Sequence, residues 1–441
     1  MSEPRSGPAA AERADAFPSR ALPSVYVTAD LPPLGGAIKR RPEDFLVDEQ
    51  LLNHPCGRGE HIHMLVEKRG LSTTQMLRII AGHFGVDRRA LGYAGMKDKL
   101  AITRQVVSVH APGKSLHDFR ELRHDRVSIL WADQHTERIR LGQCRGNRFS
   151  IRIRDVDYTG VVTARRALER LAKNGVPNRF GEQRFGVRDD NHIVGRALLL
   201  RRWDDVIRGM LSPDESGEEK ADSEARRLFA AGDYRAAAKK MPPWNEAERR
   251  VLEALARGAT PEKVVGAMGK TQRRFLASAF QSAVFNAVLE RRIEDGTYCG
   301  LEEGDIAWSE QDGEAFEVDA AALNSDDVQT RLKDGSIGPS GPLWGPKMRR
   351  ADARPGEIER SALADAGVSE SDLEKFDPEL GVRRPRRTPL RDPEVESGVD
   401  EHGSFVRCAF ELAPGAFATV VMEEVMKSGG SMRDGASEGD E

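Results

Sequence analysis

The stretch Leu91–Gln105, LGYAGMKDKLAITRQ, sets one carboxylate, Asp98, between two cations, Lys97 and Lys99, with Arg104 shortly after. Nearby cations favour the charged form of a carboxylate. A single ionised carboxylate held in a fixed place suits a nucleophile or an orienting base. The plain alternative is a surface ion-pair loop, the commoner meaning of a Lys-Asp-Lys triplet. Gly92 and Gly95 precede the triplet and let the backbone approach a neighbour closely.

Other chemistry is more weakly supported. AMGKT at 267–271 lacks the glycine that a phosphate-cradling loop needs five residues before Gly269; Val264 stands there, and the approach is helical. His61 and His63 share one face of a strand without a third ligand nearby, so packing is their plainer use. Cys56, Cys144, Cys299 and Cys408 are far apart and form no CxxC pair, which supports neither a zinc site nor a disulfide framework and fits a reducing cytosol. No metal and no cofactor are expected.

Asp98 must be carried by a mixed α/β scaffold. DFLVDEQLL and HIHMLVEK alternate as strands around the turn-rich NHPCGRGE. LSTTQMLRIIAGHFGV predicts a helix, with a Ser72–Gln75 capping box, one apolar face (Met76, Leu77, Ile80, Phe84) and Gly85 as its stop. TRQVVSV and ERIRLGQCRGNRFSIRIR return to strand character, with Phe149, Ile151 and Ile153 on one face. A helix is expected over Val161–Lys173. Residues 192–293 are mostly helical, and Leu276, Phe280, Val284 and Val288 recur every fourth residue. Residues 299–350 predict short strands and loops. A charged helical stretch follows to about 376, and RDPEVESGVDEHG is turn-rich and acidic. SFVRCAFELAPGAFATVVMEEVM predicts a strand, a turn and a short helix.

The 441 residues suffice for two or three domains, and a 31% charged content predicts a charged surface. With a formal net charge of −4, any anion site must be a local patch. No apolar run approaches the roughly 20 residues of a membrane span, and the N-terminus lacks a secretory signal's apolar core. Both tails, 1–22 and 428–441, and the acidic loop 213–224 predict solvated chain without a core.

GYAGMKDKLAITRQ resembles the catalytic motif of the TruD family of tRNA pseudouridine synthases. Further similar blocks occur in the family's order: IKRRPEDFLVDE at 38–49, RGNRF at 145–149, PNRFGEQRFG at 177–186, FQSAVFNAVLERRI at 280–293, GPLWGPKM at 341–348, RRP at 383–385 and PGAFATVVMEEV at 414–425. The resemblance spans almost all of the chain between the tails. It implies an α/β (α+β) fold: a pseudouridine-synthase-like catalytic domain with a mixed or antiparallel sheet and flanking helices (23–180 with 388–427), carrying an inserted family-specific α/β domain (181–387). It implies a cytoplasmic isomerase that converts a uridine of tRNA, expected at position 13, to pseudouridine without a cofactor. Asp98 matches the family's catalytic aspartate, Lys39 a lysine near it, and Phe149 the aromatic that packs on the target base. Asn147 lies in the same motif as a pocket residue.

Pseudouridine formation detaches uracil, turns it and reattaches it through carbon, which needs a carboxylate, a stacking surface and room to turn. Extruding the uridine costs a few kcal/mol. Local cations must then hold the RNA. The candidates are Lys97, Lys99, Arg104, Arg145, Arg148, Arg291, Arg292, Lys347, Arg349, Arg350, Arg383, Arg384, Arg386 and Arg387. For RRPRR the alternative is a linker paired to the acidic stretch that follows. The partner expected is tRNA, with no membrane and no evident protein partner. Rival readings are a pseudouridine synthase for other RNAs and a non-catalytic RNA-binding or tRNA-folding protein.

Overall fold

The computed structural model describes residues 25–181, 184–186, 188–214, 220–309 and 312–428. The tails, save Ser428, and the centre of the acidic stretch lie outside the described residues. Two compact units emerge. One joins Val27–Val176 to the chain from Thr388, and the other holds Pro177–Arg387 with the residues up to Tyr26.

The first unit is built on an eight-stranded mixed sheet. Its strands are β1 (Phe45–Leu51), β2 (His61–Arg69), β3 (Leu91–Tyr93), β4 (Ile102–His110), β5 (Val127–His135), β6 (Cys144–Arg154), β7 (Leu390–Asp400) and β8 (Gly403–Leu412). Their order is β7-β8-β6-β1-β4-β2-β5, with β3 also on β4. Only β1 and β4 run parallel. Helix α1 (Thr73–Phe84) starts at the expected capping box, buries Met76, Leu77, Ile80 and Phe84, and stops at Gly85 in the left-handed region, φ 62°. Helix α2 (Val161–Asn174) and helix α3 (Ala418–Met426) cover Phe45, Val47, Phe149, Ile151 and Ile153. The period-two alternation of β6 is thus its core face.

Two strands depart from the sequence expectation. VSILWADQH forms β5, and the acidic RDPEVESGVD forms β7 at the sheet edge. β7 tolerates Pro393 because an edge strand need not donate every N–H. A register shift between Arg391 and Glu394 absorbs it, with Asp392 at φ 47°. Across the sheet, Glu394 accepts from Arg148 at 2.6 Å, and Glu396 pairs with Arg407. Cross-strand ion pairs therefore replace apolar patterning.

In the second unit the described residues between 191 and 294 are mostly helical, and that run ends with the 25-residue helix Lys270–Glu294. Its every-fourth-residue stripe is buried as expected. Gly269, φ 89°, is this helix's N-cap, so AMGKT is a helix–helix junction. A four-stranded sheet follows in the order 382–385, 337–343, 306–309, 315–317. Residues 320–334 are two helices where strands and loops were expected. Among the described residues no helix is long and apolar enough to cross a membrane.

Candidate active site

Asp98 lies in the loop between β3 and β4. On one edge of β4, β1 pairs with residues 102–104 and β3 with residues 107–109. The backbone between them has no strand partner, and the Glu49 side chain supplies one: its Oε1 accepts from Val106 N at 3.1 Å. Its Oε2 accepts from Lys97 Nζ at 2.5 Å, and both side chains are nearly closed to solvent. Lys97 is therefore spent on Glu49, which corrects the expectation that it flanks Asp98 as a charge partner and reaches RNA. Gly92 is required where it stands, because a Cβ would lie 2.3 Å from the Ile139 carbonyl oxygen.

The loop is pinned at three further points. Lys97 N donates to Thr73 Oγ1 at 2.9 Å, and Gln105 Nε2 to Gly95 O at 3.3 Å. Lys68 is fully buried, and its Nζ donates at 2.6 Å to both Leu71 O and Asp98 O. Burial pushes the Lys68 ammonium down from 10.5 to about 8, opposed by the Asp98 charge. Glu49 and Lys68 are residues that the sequence reading passed over. The only local signal is that each interrupts an otherwise apolar strand face.

The Asp98 carboxylate meets Lys39, whose Nζ is 3.2 Å from Oδ1. The Lys39 side chain is 8% exposed and that of Asp98 35%, so the pair is sheltered while the carboxylate remains reachable. Lys39 sits at φ 57°, a left-handed conformation that costs a non-glycine residue and is held by its surroundings. Its ammonium also lies over the Phe45 ring, 4.7 Å from the centroid. Phe149 meets Phe45 edge to face at 6.3 Å and Phe410 at 5.8 Å. At 6% exposure Phe149 is a core residue first, and only its remaining ring surface is open to a base. Asn147 pairs opposite Glu49 across β6 and β1. Its Oδ1 is buried without a hydrogen-bond partner, an acceptor beside the small cavity that Gln50, Gly146 and Leu412 help to line. Phe417, 41% exposed just before α3, is an aromatic that the sequence reading did not single out.

The predicted RNA cations divide. Lys99 is exposed. Arg104 is exposed beside Glu67 and Asp48, and Arg145 is exposed beside Glu411. Arg148 is partly exposed against Glu394. Arg291 pairs with Asp365, Lys347 with Glu379 and Arg350 with Glu370, all partly open. Arg387 is partly buried and donates to Leu332 O.

Arg292, Arg383 and Arg386 are corrected: each is buried. Arg383 forks onto Glu359 at 2.7 and 2.8 Å, and Arg292 and Arg386 converge on Asp305 at 2.9 and 3.0 Å. A buried guanidinium needs such partners, and none of the three is free for RNA. Nor do Arg383 and Arg386 pair with the acidic stretch after them. His61 packs against His110 and His63 against His135 with tilted rings, and burial holds the His61 and His63 imidazoles below their usual range.

The pattern of the family described as tRNA pseudouridine synthase D (TruD) matches residues 22–425. Curated relatives include tRNA pseudouridine synthase D of Geobacter sulfurreducens, 37% identical over 92% of this chain and 98% of that protein. The enzyme of the same name from Syntrophotalea carbinolica is 36% identical over 91% and 99%. A crystal structure of a Methanosarcina mazei protein assigned to tRNA pseudouridine synthase D (TruD) superposes with a TM-score of 0.79 at 27% identity, covering 93% of this chain and 98% of that one.

Proposed function

The chain belongs to the TruD family of tRNA pseudouridine synthases, and from that premise we propose that it isomerises a uridine of tRNA, at position 13, in the cytoplasm, with Asp98 as the catalytic carboxylate. The observation that carries this reading is the Lys39–Asp98 pair, a reachable carboxylate on a loop tied down by buried side chains. In the reaction the N1–C1′ bond breaks and a C5–C1′ bond forms, while the C5 proton is lost and N1 gains one. Nothing is oxidised, and atoms balance within the nucleotide. Lys39 offsets the carboxylate charge in the resting site. Lys68 and Glu49 hold the loop backbone so that Asp98 meets the ribose and base in one geometry, which is where positioning lowers a barrier. The open surface of Phe149 and the Asn147 amide contact the extruded base. Lys99, Arg104, Arg145, Arg148, Arg291, Lys347 and Arg387 steer and hold RNA phosphates.

Incubation of the pure protein with unmodified tRNA transcript, followed by pseudouridine mapping, tests this. Pseudouridine at position 13 alone is the expected result. Modification elsewhere would remove the position, and no pseudouridine in tRNA or any other RNA would remove the activity.

A further inference from the structure

Arginines in the Pro177–Arg387 unit commonly face a carboxylate: Arg274 meets Asp377 at 2.6 Å, Arg350 meets Glu370 at 2.7 Å, and three more enter the buried network. Among the described residues Arg184 and Arg384 face none. Arg184 donates only to hydroxyls, from Nε to Ser282 Oγ at 3.2 Å and from Nη2 to Ser278 Oγ at 2.8 Å. Arg384 donates to Asn178 O and, at 2.6 Å, to Asn178 Oδ1. The two guanidiniums share Phe180, at 5.7 and 4.2 Å from its centroid, and Arg184 also lies 5.4 Å from Phe275. Burial lowers the affinity of both for their protons, and for Arg384, pushed down to about 10, repulsion from Arg184 adds to it.

This is an expensive arrangement for a fold to keep without a use. Stacking on a ring offsets about 0.5–2 kcal/mol, while removing a charge from water costs several. Among the described residues Nη1 of each arginine has no protein partner and is open to solvent. Ser278 and Phe275 line an open groove of about 620 Å³. Of the charged residues that line this groove, Glu379 is already matched by Lys347 and Arg274 by Asp377. The surplus charge is therefore that of Arg184 and Arg384.

We propose that Arg184 and Arg384 form a built phosphate site that takes the sugar–phosphate backbone of RNA on the Pro177–Arg387 unit. Paired guanidiniums with free N–H groups are the donors that phosphate geometry favours. The site rests on the proposed function only for the choice of RNA as its polyanion. A phosphodiester would supply the counter-charge that the described residues omit.

The test uses the full chain and unmodified tRNA transcript, with binding titrated at several salt concentrations. The double variant Arg184→Gln/Arg384→Gln should weaken binding about tenfold and lower the salt slope by about one unit per arginine. Its melting temperature should be unchanged or higher, because two repelling charges are gone. Ser278→Asp, which keeps both arginines and gives Arg184 an internal carboxylate, should weaken binding with the fold intact. Unchanged affinity and slope in folded Ser278→Asp, or a lowered melting temperature with unchanged slope in the double variant, would overturn the site. Neither outcome touches the activity, which the pseudouridine map reads separately.

Discussion

At the Asp98 loop, Lys39 meets a carboxylate that keeps 35% of its side chain open, while Lys68 holds the Asp98 backbone carbonyl and Lys97 pairs with Glu49. Around Asp305 and Glu359, Arg292, Arg383 and Arg386 meet acids that are themselves buried, and nothing of the cluster faces solvent. Both regions read in sequence as cation-rich motifs, KDK and RRPRR. The first uses its buried cations to hold one accessible carboxylate in place. The second closes its charges on themselves and serves the fold. What separates them is where the carboxylates lie: one stays accessible at the surface of its unit, and the others are taken inside.

The largest effect that could break this contrast is at Asp98. Asp98→Asn keeps the shape and removes the charge, and should lower the single-turnover rate about a thousandfold or more while tRNA affinity stays within a few-fold. A near wild-type rate would reduce the loop to the same structural role as the arginine cluster. Next is Arg383→Met, which strands Glu359 and should cost about 3–5 kcal/mol of stability. Denaturant titration would show it, and tRNA affinity of the folded fraction should not change. A lost salt slope without lost stability would return Arg383 to the RNA surface.

Lys68 sharpens the comparison through pH. Its folded value of about 8 lies below its unfolded 10.5, so between the two the unfolded chain binds more protons. Unfolding free energy of the wild type, relative to Lys68→Met, should rise as pH goes from about 8 to about 10.5, by roughly 3 kcal/mol. A flat difference would mean that the ammonium is not buried as described. The smallest effect is at Phe149. Phe149→Leu nearly conserves volume and should cost about 1 kcal/mol in stability through its lost ring contacts. Turnover per folded molecule should also fall several-fold; unchanged turnover would leave Phe149 a core residue alone.

Local features were legible in the sequence because their causes are local. The α1 capping box, the glycine stops and the β6 alternation each rest on neighbours within a few residues. The pairing of Lys39 with Asp98 came through resemblance, since 59 residues separate them. Burial of Arg383 depends on Glu359, and that of Lys97 on Glu49, partners that no spacing rule points to. β7 was unreadable because its own residues spell a loop, and its ion pairs are made with Arg407 on the next strand and with Arg148, 246 residues from Glu394. The fourteen cations proposed as RNA contacts looked alike until burial separated them.

The irregular edge strand β7 has a consequence for the chain in crowded solution. A bare sheet edge is a template on which another chain can add a strand. Pro393 withholds one donor, and the register shift at Arg391–Glu394 bends the edge away from a regular ladder. An incoming strand would find no continuous run of N–H and C=O groups there. The irregularity that hid β7 in the sequence thus also guards this sheet against self-assembly into aggregates.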